Sequence, residues 1–171
     1  EAAPGYSISV SDGLLNTGPN PASISFTNIN DPPTITLNTL TINEGSTVIL
    51  SAANINTSDP DNTAAQLTLT ATGVTNGQFE LVTSPGIAIT SFTQAQINSG
   101  AIQFVHDGGE VAPGYSISVS DGLLNSGPSA ASISFTNIND APTIAVNTLA
   151  ISEGSTVIPV SYTHLTLPTK A

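Results

Sequence analysis

Gly114–Asn125 reads "GYSISVSDGLLN", and the same twelve letters stand at Gly5–Asn16. Tyr115, Ile117 and Val119 alternate with Ser116, Ser118 and Ser120. That is the period of a β-strand with one buried and one exposed face. Asp121-Gly122 ends the run with turn chemistry. One such strand predicts little by itself, but its duplication sets the organisation of the chain.

The duplication is long. Residues 1–50 return as 110–159 with about four in five positions identical, and Glu1 aligns with Glu110, a period of 109 residues. This exceeds the short periods of solenoids and matches a sandwich domain of about 100 residues. Residues 1–31 are therefore expected to be the last strands and joint of one repeat. Residues 32–140 form a complete repeat, and 141–158 begin another. The repeat breaks after Ile158: residues 159–171 match nothing at the expected place, and Val160–Thr169 resembles a sequencing-library adaptor translated in frame. That tail is expected to be non-native and is set aside.

Within the complete repeat, Leu67 and Leu69, Ile102 and Phe104, and Ile133 and Phe135 also alternate with polar residues. Asp59-Pro60-Asp61, Asn76-Gly77, Pro85-Gly86, Gly108-Gly109 and Gly127-Pro128 punctuate the runs. Only Thr93–Gly100, "TQAQINSG", offers a helical turn. About seven strands, A to G, predict an all-β, immunoglobulin-like sandwich in tandem repeats. Tyr6 and Tyr115 open the penultimate strand of their repeats, as either a corner tyrosine or a plain core residue.

Alternating strand direction sorts the loops to two ends. Strands A (34–42), E (101–105) and G (131–136) run down; B (47–55) and F (115–120) run up. Glu44, Asp107, Glu110, Asn139 and Asp140 then gather at the bottom. Asp59, Asp61 and Asp121 gather at the top, beside Asn28, Asn30 and Asp31 of the incoming joint. The joint itself repeats: "FTNINDPPTI" at Phe26–Ile35 returns as "FTNINDAPTI" at Phe135–Ile144.

Charge gives these clusters weight. The chain carries 12 Asp and Glu against a single Lys, Lys170. Only Glu80 among the acids lies outside turns, caps and joints. Nucleic acid and anionic membranes need clustered Lys and Arg, so both are disfavoured as partners. No apolar run is long enough to span a bilayer. Two unit charges 4 Å apart repel by roughly 4 kcal/mol at an effective dielectric near 20. With no base nearby, converging carboxylates and Asn carbonyls fit calcium, which takes six to eight oxygens. The other reading is that these residues only start turns and stay solvated.

The motifs "INEG" (Ile42–Gly45), "SDPDN" (Ser58–Asn62), "GAIQFVHDG" (Gly100–Gly108), "YSISVSDG" (Tyr115–Gly122) and "NIND" carry a resemblance. They resemble the cadherin-like repeats of large bacterial surface proteins, above all the chondroitin-sulfate-proteoglycan type. The resemblance implies calcium at the joints. The classical cadherin joint, Asp-x-Asn-Asp-Asn before a proline, is similar to Asn28–Pro32 and Asn137–Ala141. The first Asp has become Asn and the last Asn is lost, so fewer ligands are implied. The family's Asp-x-Asp falls on Asp59 and Asp61, and its early glutamate on Glu44.

Other chemistry is missing from the sequence. No EF-hand, phosphate loop, Gly-x-Ser-x-Gly elbow or paired metal histidine is present. His106 beside Asp107 lacks a nucleophile and a cleft, and is read as ordering the bottom loops. The sequence therefore predicts a non-enzymatic stalk or adhesion segment of an extracellular, cell-surface repeat protein. Its expected partners are neighbouring repeats of the same chain. The rival reading is direct binding of a homophilic, glycan or ice ligand on Ser/Thr-rich faces, without calcium.

Overall fold

The computed structural model describes residues 2–142 and 150–157. The expected non-native tail, 159–171, lies outside the described residues. The chain divides into two compact units, Glu1–Ile138 and Asn139–Ala171.

In the first unit a short hairpin, β1 (Ser7–Ile8) with β2 (Asn20–Pro21), precedes β3 (Thr34–Asn43), β4 (Thr47–Ile49), β5 (Ile55–Ser58) and β6 (Thr68–Thr75). There follow β7 (Gly77–Leu81), β8 (Ala88–Ile89), β9 (Ser91–Thr93), α1 (Gln94–Asn98) and β10 (Ile102–His106). The last strands are β11 (Gly114–Ser120), β12 (Asn125–Ala130) and β13 (Ser132–Thr136). They form sheets in the orders β12-β11-β6-β9, β4-β10-β7-β8 and β13-β3-β5. The expected all-β sandwich is what the chain forms.

Alternation buries one face of each long strand. Tyr115, Ile117 and Val119 of β11 lie in the core beside Leu69 and Ala71 of β6, while the intervening residues stay at least partly exposed. Phe79 of β7 and Phe104 of β10 meet them from the other sheet. Phe79 is 4.8 Å from Tyr115 and 5.0 Å from Phe104, both edge-to-face, and 5.3 Å from Phe92. Edge-to-face contact sets the positive ring edge on the negative face, adding about 0.5–1.5 kcal/mol beyond area burial.

Strand direction follows the expected alternation. β13 pairs with β3 in parallel, Ile133 opposite Leu40 and Phe135 opposite Ile42. The first and last strands thus run the same way. One expected strand is cut in two, because the chain changes sheets inside it. Strand B leaves β10 after Ile49, turns through Ser51–Asn54 (Asn54 N–H donating to Ser51 O, 2.9 Å), and joins β3 as β5. Strand G forms as β13 on β3, and the preceding residues 125–130, where no strand was expected, pair with β11 as β12. A strand that switches sheets closes the corner of a sandwich.

The predicted helical turn forms as α1. The Thr93 side chain accepts from Gln96 N–H, and the Gln96 side chain accepts from Thr93 N–H at 2.8 Å, a capping box. Gln94 is buried within it. Its Oε1 accepts from Thr57 N–H (3.0 Å) and the Thr57 hydroxyl (2.9 Å), and its Nε2 donates to Ile55 O (3.2 Å). These bonds tie the helix to β5. Glu80 is likewise buried, yet satisfied by neutral donors: Gln78 Nε2 (2.6 Å), Gly86 N–H (3.0 Å) and Gln103 Nε2 (3.2 Å). The Gln78 amide, then the Gly86 N–H, hold its carboxyl below the usual range.

Tyr115 is a core tyrosine, not a corner one. Its hydroxyl is shielded from solvent and has no hydrogen-bond partner, and burial raises its pKa well above the ordinary value. An unsatisfied buried donor costs about 1–3 kcal/mol. Tyr115→Phe keeps the ring contacts and removes that cost. It is expected to unfold at equal or higher denaturant concentration, with a gain of about 1 kcal/mol; a clear loss in urea titration would show that the hydroxyl is bonded.

Candidate functional site: the acidic ends of the module

At the top of the module, Asp59 and Asp121 each use one oxygen to build their own turn. Asp59 Oδ1 accepts from Asp61 N–H (2.7 Å) and Asn62 N–H (2.9 Å). Asp121 Oδ1 accepts from Leu123 N–H (2.6 Å) and Leu124 N–H (2.7 Å). Asp side chains mimic a backbone turn in this way, which is why Asp starts both loops. Asp121 and Asp61 also hold the incoming joint. Asn30 Nδ2 donates to Asp121 Oδ2 at 2.7 Å. Asp61 takes Asn28 Nδ2 on Oδ1 (2.7 Å) and Asp31 N–H on Oδ2 (2.9 Å). Asp59 Oδ2 is shielded from solvent with no partner, and so is Asn62 Oδ1.

The sequence-predicted upper set is therefore assembled. Asn28, Asn30 and Asp31 dock on Asp61 and Asp121, and Asp59 stands in the same Asp-Pro-Asp loop. Sequence reasoning missed Asn62; its signal was its place directly after that loop. The Asn28 amide, then the Asp31 N–H, hold the Asp61 carboxyl down to about 2 from 3.8. The Asn30 amide, then the N–H groups of Leu124 and Leu123, lower Asp121.

These depressed values fix a sign. The folded carboxylates bind protons more weakly than the unfolded ones, so their contribution is complete above the unfolded value of 3.8. It is lost as pH falls from there through about 2. The side-chain amide resonances of Asn28 and Asn30 are expected to hold constant from neutral pH down to about pH 4 and shift below it. A transition centred near pH 6 would contradict this assignment.

The bottom is organised by His106, buried and stacked 4.9 Å from Phe135. Its Nδ1 accepts from Gly45 N–H (3.2 Å) and Gly108 N–H (3.1 Å). Nε2 therefore carries the proton and donates to Val111 O at 3.1 Å. Both ring nitrogens are committed to backbone, so His106 locks the Asn-Glu-Gly turn to the His-Asp-Gly turn, as the sequence suggested. Gly45 sits at φ 62°, where a side chain would be strained.

Glu44 is buried, and its Oε2 accepts from Ile138 N–H at 2.8 Å. Glu110 accepts from the Asn137 amide. Two of the expected lower residues thus grip the exit of β13. Asp107 does not join them in hydrogen bonding; its Oδ1 accepts from Gly109 N–H (2.9 Å) in its own turn. Asn139 and Asp140 belong to the second unit, where Asn139 Nδ2 donates to Asp140 O at 3.1 Å. Asn30 donates to Asp31 O at the same distance, so the joint's local shape repeats. The second unit also repeats the turn after β3: Ser155 N–H donates to Ser152 O (3.0 Å) as Ser46 N–H donates to Asn43 O (3.1 Å).

No helix among the described residues is long and apolar enough to cross a membrane. A cadherin-like family model matches residues 33–135. Curated relatives are matrix and proteoglycan proteins. Chondroitin sulfate proteoglycan 4 of Homo sapiens is 36% identical over 96 residues, covering 55% of this chain and 4% of the relative. Extracellular matrix protein 3 of Lytechinus variegatus is 33% identical over 119 residues, covering 67% and 4%. Extracellular matrix organizing protein FRAS1 of Homo sapiens is 33% identical over 105 residues, covering 59% and 3%. The chain thus spans only a few per cent of the length of these relatives. The family model covers the loops of Glu44, Asp59, Asp61, Asp107, Glu110 and Asp121, and the chain belongs to the cadherin-like family.

Proposed function

We infer that this chain is a structural, adhesion-type segment of an extracellular repeat protein, with calcium stiffening the joints between modules. The observation that carries the reading is the upper joint. Two carboxylates, Asp61 and Asp121, hold the incoming Asn-Ile-Asn-Asp segment, and in the same loop one oxygen, Asp59 Oδ2, is shielded and unpartnered. The donors at hand are all oxygens once the Asn28 and Asn30 amides present their carbonyls, and hard oxygens suit calcium. A bound ion would replace the Asn28 and Asn30 amide bonds to Asp61 and Asp121 with Asn carbonyls turned to the metal, so the set fits the ion. Asp59, Asp61, Asp121, Asn30 and Asp31 would hold it. The ion's contribution is charge neutralisation where no Lys or Arg is near. By the 109-residue repeat, Asn139 and Asp140 match Asn30 and Asp31. Within the first unit, Glu44, Asp107 and Glu110 are the proposed lower ligands, and Asn139 and Asp140 are the proposed ligands that open the second unit. Calorimetric titration of calcium into the chain should give saturable binding that Asp121→Asn weakens; the absence of saturable heat would remove the proposal.

A second reading has one observation behind it. Across β6 and β11, Thr68, Thr70 and Thr72 stand opposite Ser120, Ser118 and Ser116. Sequence alternation showed the two rows but not their pairing into an uncharged hydroxyl face. Such a face suits direct binding of a neutral ligand without calcium. Thr70→Lys separates the two readings, since it should abolish ligand binding at that face and leave the calcium titration unchanged.

A further inference from the structure

Position 77, at the turn from β6 to β7, has room only for glycine. A Cβ there would meet Val105 O at 2.5 Å and the Phe104 ring at 2.6 Å. The residue before it, Asn76, is the one non-glycine residue at positive φ among the described residues, at 53°. Most side chains are strained there, and asparagine is among the few that tolerate it. The turn thus favours Asn-Gly, and no other Asn-Gly stands in the chain. Asparagine is a labile residue, and a following glycine brings no side chain to block attack by its own nitrogen.

The surroundings leave the reacting atoms within reach. Asp107 N–H donates to Asn76 O at 3.3 Å, and Gly77 lies opposite His106. Asn76 and Asp107 therefore form a hydrogen-bonded pair, and Gly77 falls on the alternate pair, which exchanges no ladder bonds. On the other side of β7, β8 pairs only with Phe79 and Glu80. Asn76 and Gly77 are partly exposed and line one cleft with His106 and Asp107. The Asn76 amide is held by Nδ2 donating to Ala112 O at 2.8 Å.

We propose that Asn76-Gly77 is a self-modification site that alters the lower end of the module. When the amide releases Ala112 and the turn opens, Gly77 N attacks Asn76 Cγ. The N–Cγ bond forms, the Cγ–Nδ2 bond breaks, and the Gly77 N–H proton leaves with Nδ2 as ammonia. Water then opens the resulting succinimide at either carbonyl, leaving aspartate or isoaspartate at position 76. Nothing is oxidised or reduced. Ala112 O then meets a carboxylate in place of its donor. Ala112 lies two residues after Glu110, which accepts from the Asn137 amide at the exit of β13. The change therefore loosens the segment that carries Glu110. It also adds a negative charge beside Asp107, in a chain whose single base is Lys170. The chemistry belongs to one turn and stands whether or not the joints hold calcium.

The test holds the intact chain warm at mildly alkaline pH and maps its peptides by mass over time. The Asn76 peptide should gain about 1 Da, water replacing ammonia, and separate into two products. It should do so ahead of the peptides bearing Asn98 and Asn125, which serine follows. Asn76→Asp should speed amide exchange at Val111 and Ala112 by about tenfold, the equivalent of one hydrogen bond. Asn76→Gly, which suits the positive φ and adds no charge, should speed it less. An Asn76 peptide that keeps its mass, or changes no faster than those of Asn98 and Asn125, overturns the proposal. So does equal exchange at Val111 and Ala112 in the parent and in Asn76→Asp.

Discussion

Phe79→Ala is expected to lower the unfolding free energy by about 3–5 kcal/mol, enough to unfold much of the module at ambient temperature. Phe79 is 1% exposed and touches three other rings, Phe92, Phe104 and Tyr115, at centroid distances of 5.3, 5.0 and 4.8 Å. It joins the two four-stranded sheets, which also meet through Phe104 against Tyr115 at 5.6 Å. Truncation removes its burial and leaves a cavity that flanking strands, held by ladders, close only in part. Phe104→Leu keeps most of the volume and should cost about half as much. The midpoint of thermal unfolding should fall by at least about 12 °C for Phe79→Ala, at about 4 °C per kcal/mol. A fall of under 5 °C would place the core's centre elsewhere.

The second large effect belongs to the joint. If calcium sits among Asp59, Asp61 and Asp121, it stabilises the native state by RT ln(1 + [L]/Kd), roughly 2.7 kcal/mol at a hundredfold excess over Kd. Asp59→Asn should remove most of that increment. In the absence of calcium it should change stability little, because the retained side-chain carbonyl still serves the turn made by Asp61 and Asn62 N–H. The effect is thus read as a difference between two conditions, which a merely structural role for Asp59 would not produce. Melting of parent and variant, each with calcium and with chelator, gives the four values needed. Equal calcium increments in parent and variant would exclude Asp59 as a ligand.

Much of the fold was legible because it rests on local pattern. Period-two alternation at Tyr115–Val119 and Ile102–Phe104 placed the long strands. Counting an odd number of alternating strands placed β3 and β13 in the same direction. "TQAQINSG" offered a helical turn, and the structure forms α1 there with a capping box. The break within strand B was not legible, since Leu50 has no turn chemistry, and β12 was not expected because Gly127-Pro128 reads as punctuation. What cuts strand B there is a change of hydrogen-bonding partner between sheets. Gln94 and Glu80 were equally silent. Gln94's partner Thr57 lies 37 residues away, and Glu80 is closed off by Gln103, 23 residues away, together with the nearer Gln78 and Gly86; nothing in the pattern marks donors that converge in this way.

The candidate site divides along the same line. Asp59, Asp61 and Asp121 were readable from turn chemistry together with strand direction, and the structure brings Asn28, Asn30 and Asp31 to them. Glu44 and Glu110 were readable as bottom residues, but their grip on Asn137 and Ile138 was not, because a glutamate's reach follows from how β3 and β13 align side by side. Asp107 shows the limit of sorting loops by end. It lies in the expected loop, and its hydrogen bond goes to that loop's own Gly109.

Thermal unfolding of the chain with calcium and with chelator, at one protein concentration and neutral pH, tests the central claim most directly. The account predicts a higher midpoint in calcium, by the equivalent of roughly 2–3 kcal/mol when the ion is in hundredfold excess over its Kd. Superimposable curves would contradict it, and would leave Asp59, Asp61 and Asp121 as turn residues that hold the joint through Asn28, Asn30 and Asp31 alone.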